Sequence, residues 1–122
     1  MQLIAAVLVV AVAALHVFFL VLEMFLWTTP FGRRTFRTTP EFAESSKTLA
    51  ANQGLYNGFL AAGLIWVLIA YGVHAGRAIL TFFLVCIVIA GVYGAATVSR
   101  RILLIQAVPA LIAAALLWLN SA

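Results

Sequence analysis

Apolar positions in this chain fall into four long blocks, separated by three short polar breaks. The first block runs from Gln2 to Trp27 and gives way to a loop, Thr28 to about Lys47, that carries most of the charge. The second ends near Tyr71, and Gly72-Val73-His74-Ala75-Gly76-Arg77 reads as a tight helix-helix turn in which His74 is solvated. The third covers 78–98 and stops at Arg100-Arg101; the fourth covers 102–119. A helix needs about 20 apolar residues to cross a hydrocarbon layer of about 30 Å. The pattern therefore predicts an all-α, integral membrane four-helix bundle, one domain over 1–122, with spans at about 2–27, 47–71, 78–98 and 102–119. Within the first loop, Thr39-Pro40-Glu41 has the residues of a helix start: a threonine cap, proline at the first position, an acid in the first turn. It predicts a short interfacial helix between spans 1 and 2, continuing into the second span. The first block is too long for a signal peptide and lacks a basic leader, so it is read as a retained span.

Composition agrees with this class and excludes a soluble one. The chain has 122 residues, 66% hydrophobic and 8% charged, with mean hydropathy +1.20. Ten charged side chains cannot coat a globular surface. The net charge of +4 does not point to nucleic acid, because the basic residues flank the apolar blocks. Arg33, Arg34, Arg37, Lys47, Arg100 and Arg101 lie on one side of the predicted bundle, and Arg77 stands alone on the other. The positive-inside rule then places loops 28–46 and 99–101 in the cytoplasm and both termini outside, in a bacterial-type inner membrane. Arg33, Arg34 and Arg37, interleaved with Phe31, Phe36 and Phe42, suit contact with anionic lipid. The single cysteine, Cys86, forms no internal disulfide.

Polar residues inside the blocks are the candidate chemistry, since unsatisfied amides and carboxyls are costly in hydrocarbon. The second span opens with Asn52-Gln53-Gly54-Leu55-Tyr56-Asn57. At 100° per residue, Asn52, Gln53, Tyr56 and Asn57 share an arc of roughly 140°. Ala50, Gly54, Gly58, Ala61 and Ala62 occupy the opposite side, a Gly-x-x-x-Gly face for close helix contact within the chain or across a homodimer. Glu23 and His16, seven apart on the first span, share a face about 10 Å apart along the axis. Counted by helix rise, Glu23, Asn52, Gln53, Tyr93 and Gln106 lie about 7 to 10 Å in from the cytoplasmic edge. His16, Tyr56 and Asn57 form a deeper layer. The expectation is a polar cup open to the cytoplasmic side, with Glu23 bonded to Asn52 or Gln53 and His16 facing Tyr56 or Asn57. Pro109 is expected to kink the fourth span near Gln106.

Three stretches carry a family resemblance: Leu22-Glu23-Met24-Phe25-Leu26-Trp27-Thr28-Thr29-Pro30, Pro40-Glu41-Phe42-Ala43, and Ala51 through Ala61 with its Asn52-Gln53-Gly54 core. They resemble domain-of-unknown-function family 1304, small four-span bacterial membrane proteins of this length. The resemblance implies the architecture and carries no activity. The residues themselves suit proton transfer to a small apolar molecule. Glu23 and His16 are the candidate proton carriers, and Asn52, Gln53, Tyr56, Asn57, Tyr93 and Gln106 are candidate substrate-binding groups. No cofactor is called for, and no metal: two ligands about 10 Å apart by helix rise make no site. The rival readings are a small dimeric proton-coupled transporter and an accessory or structural membrane subunit. Against the transporter stands the placement of the polar layer on one side of the membrane, with no inverted repeat.

Overall fold

The computed structural model describes residues 2–97 and 99–119, with the side chains of all of these except Ile102 and Leu103. Val98, expected to close the third span, lies outside the described residues. The described chain is helical throughout, with no strand. The elements are α1 (Gln2–Phe25), α2 (Pro30–Phe36), α3 (Pro40–Ala70), α4 (Gly72–Ala75) and α5 (Arg77–Thr97). They are followed by α6 (Arg100–Ile102), a π-helical segment (Leu103–Ala107) and α7 (Val108–Leu119). Helices α1, α3 and α5 are long and apolar enough to cross a membrane. The fourth apolar block, expected as one span over 102–119, is helical and is built from three pieces rather than one, its apolar helix among the described residues running Leu104–Leu119. Pro109 supplies the reason: it has no N–H to give to the preceding turn, and its ring crowds the carbonyl there, so the chain widens into a π turn just before it.

The chain divides into two compact units, Ala14–Ala61 and Met1–Ala13 with Ala62–Ala122, so α1 and α3 each contribute to both. Buried positions follow one rule in every long helix. On α1 they are Ala5, Val9, Val12, Ala13, His16, Leu22 and Glu23; on α3 they are Ala43, Ala50, Gly54, Asn57, Ala61, Leu64 and Val67. Most of these positions recur three, four or seven apart, a narrow seam, and many large apolar side chains off it are exposed. A soluble protein would hide such side chains.

In the Ala14–Ala61 unit, α1 and α3 run antiparallel, because Gly54 packs against Glu23 and Met24 while Gly58 packs against Leu20. The link between them is more ordered than a loop. Thr29 caps α2, its hydroxyl accepting from Gly32 N–H at 3.2 Å and donating to Leu26 O at 2.6 Å. Arg37 closes α2 in the left-handed conformation at φ 56°. Thr39 then caps α3, accepting from Phe42 N–H. The helix started by Pro40 is α3 itself, unbroken for 31 residues, and α2 is an additional helix upstream. Trp27 ties the corner together: its Nε1–H donates to Ser46 Oγ at 3.1 Å, and its ring lies 4.9 Å from that of Phe36.

In the other unit, the ring of Phe83 on α5 fits over Gly63 of α3, and Gly91 lets α5 approach Ala107 of the π segment. The α5 seam is Leu80, Leu84, Ile87 and Gly91, facing Ala107, Ala110, Ala113 and Leu117. The turn into α5 uses Gly72 at φ +79°, a conformation that glycine adopts without strain.

Candidate functional site

The buried polar side chains are His16, Glu23 and Asn57, all in the Ala14–Ala61 unit. Their depth follows from the seam. Asn57 sits three residues after Gly54 and four before Ala61, so the step that buries those small residues against α1 buries its amide too. Glu23 is 9% exposed and accepts a hydrogen bond from Asn57 Nδ2 at 2.5 Å. Gly54 makes this pairing possible. A Cβ there would lie 3.0 Å from Glu23 Cβ and 2.7 Å from Met24 Cγ, so only glycine lets α3 come this close.

Glu23 also lines an open groove of about 320 Å³, with Met24, Phe25, Trp27 and Thr28 on one wall and Lys47, Thr48 and Ala51 on the other. Lys47 pairs with Glu44 at its mouth, both well exposed. Glu23 therefore has one oxygen engaged by a buried amide and stands between a tight helix seam and a space large enough for a small molecule.

The other predicted site residues are placed as follows. His16 is fully buried two turns deeper on the α1 seam, with the ring of Phe19 edge-on at 5.5 Å. Asn52 and Gln53 are exposed, so the partner of Glu23 is Asn57, one turn further along α3. Tyr56 is exposed, its ring edge-on to Phe59 at 5.8 Å. Tyr93 and Gln106 belong to the other unit, where Tyr93 is exposed and Gln106 is half-buried in the π segment. Sequence reasoning did not single out Trp27, Lys47, Thr48 or Thr28 for the groove. A signal was present: at the ends of two antiparallel helices joined by a compact corner, residues flanking a buried acid become its neighbours.

The chain matches a family model described as "Protein of unknown function (DUF1304)" over residues 10–118. It is also 31% identical over 108 residues to "Uncharacterized protein YpaA" of Lactococcus lactis subsp. lactis (strain IL1403), covering 87% of this chain and 89% of that one. No solved structure matches. The model match covers Glu23, Asn57 and all of the groove, and with it the chain belongs to the DUF1304 family.

Proposed function

We propose that this chain is an integral membrane protein that binds a small, apolar-bodied molecule in the Glu23 groove and exchanges a proton with it through the Glu23 carboxyl. The observation that carries this reading is one acidic residue with two neighbourhoods: its carboxyl accepts from the buried Asn57 amide, and the residue also lines an open groove. The groove walls match an amphipathic guest: Met24, Phe25 and Ala51 suit an apolar body, while Thr28, Thr48 and Lys47 suit a polar end. The narrow seams of α1, α3 and α5 and the many large apolar side chains exposed on them support a lipid setting, in which exposed Leu, Ile, Val and Phe carry no penalty.

In this reading Glu23 is the proton carrier, and Asn57 keeps its carboxyl aimed and hydrogen-bonded in either protonation state. His16 lies about 10 Å further along the axis, too far for direct transfer to Glu23. It is fully buried and does not line the groove, so in this reading it stays outside the proton path. Glu23→Gln tests the proposal, because it preserves size and the bond from Asn57 but cannot trade a proton. Mass spectrometry of extracts from the purified wild type should find a small amphipathic molecule that the folded Gln variant holds poorly or leaves unreacted. The same molecules retained in the same state by both proteins would overturn the reading.

A further inference from the structure

In the unit that contains α5 and α7, Arg77 links these two helices and pairs with no carboxylate among the described residues. Its guanidinium carbon lies 4.1 Å from the centre of the Trp118 ring. Trp118 is fixed in turn: its Nε1–H donates to Thr81 Oγ1 at 2.9 Å, and Thr81 Oγ1 donates to the Arg77 carbonyl at 2.7 Å. This closed ring of contacts holds the guanidinium plane in one orientation. Its Nη1 is buried and meets no hydrogen-bond acceptor among the described residues. The unit containing Arg77 has no aspartate or glutamate, since all three acidic side chains are Glu23, Glu41 and Glu44. A charged donor so placed is costly unless an acceptor comes from outside the chain.

We infer that Arg77, clamped by Trp118, is a binding site for the phosphodiester of a membrane phospholipid. A guanidinium presents a planar fork of N–H donors that matches two phosphate oxygens, and stacking on an aromatic ring leaves that fork free. Arg77 is only half-buried, so a phosphate reaches the fork from its open edge while the indole lies beside the glycerol and upper acyl chain. On the same faces of α5 and α7, Val85 and Leu111 are exposed, an apolar surface for the chains. A phosphate ion alone would match the fork but not that surface.

The test uses the whole chain in neutral detergent, with native mass spectrometry to count bound molecules. The probes are dioctanoyl phosphatidylglycerol, dioctanoylglycerol and inorganic phosphate. The phosphatidylglycerol should bind one molecule per chain, and Arg77→Gln should weaken it at least tenfold. Arg77→Lys, which keeps the charge but loses the fork, should fall between them, and Trp118→Leu should weaken binding with Arg77 intact. Circular dichroism and gel filtration check that each variant is folded; if Gln is not, the Lys and Leu variants carry the same comparison. Equal phosphatidylglycerol binding by wild type and folded variants would overturn the inference. So would dioctanoylglycerol binding as tightly, or inorganic phosphate binding in place of the lipid.

Discussion

Glu23 and Asn57 are 34 positions apart in the chain and meet because each lies on its helix's buried seam. Hydrogen bonds between membrane helices average about 0.6 kcal/mol and reach about 1.7, whereas leaving a buried polar group unpaired costs about 1–3 kcal/mol. For Asn57→Ala the second effect dominates, since Glu23 would lose its donor in a nearly closed setting. A loss of about 1–2 kcal/mol is expected, read from unfolding in a detergent titration. The same change made on a Glu23→Leu background should cost markedly less; equal costs in both backgrounds would mean that the pair is not coupled. Asn52 and Gln53 obey a different rule. In the proposed membrane setting, about 20 residues counted back from Ala70 would fill a hydrocarbon layer, which would leave these two amides at its edge, within reach of headgroups and water.

At the scale of the element, the glycines rank themselves by what surrounds them. A Cβ on Gly91 would meet Ala107 Cβ at 2.7 Å, its N at 2.9 Å and its Cα at 3.2 Å, so a backbone would have to move. On Gly58 the nearest atom is Leu20 Cδ1 at 2.6 Å, the free end of a side chain that can rotate away. Replacing glycine by alanine inside a helix gains up to about 1 kcal/mol in propensity, while overpacking costs about 1–3 kcal/mol. Gly58→Ala should thus be near neutral, and Gly91→Ala should destabilise by about 1–2 kcal/mol in the same unfolding assay. The reverse order would contradict the packing of α5 on the π segment. Gly32 is tighter still, with Leu26 O only 2.0 Å from an added Cβ. Helix α2 itself had a signal: Thr29-Pro30 repeats the Thr39-Pro40 cap that starts α3, and both threonines do cap. An acid, Glu41, follows the second cap, and none follows the first.

For the molecule as a whole, six basic side chains on one predicted face against Arg77 on the other lead us to expect both termini outside and the Glu23 groove toward the cytoplasm. Fusions at the C-terminus check this: alkaline phosphatase should be active there and a cytoplasm-dependent fluorescent reporter dark. The opposite pattern would turn the groove toward the outside and reverse the proposed access route.

The helical class, the long apolar segments and the place of the breaks were legible in the chain alone, because they depend on local hydropathy and on caps that act within three residues. Membership of the family was legible for a similar reason, from runs of residues such as Leu22–Pro30 and Ala51–Ala61. Glu23 stood out too, as an acid within an apolar run. Its partner did not. On a helical wheel Asn57 is only about 20° from Ala50 and 40° from Ala61, so it borders the packing face and the polar arc alike. Which it joins depends on where α1 lands, and that is decided by Gly54 admitting Glu23 and Met24. The groove had to wait for the same contact. Periodicity assigns faces to one helix at a time, but a site needs the register between two, and only packed side chains set that.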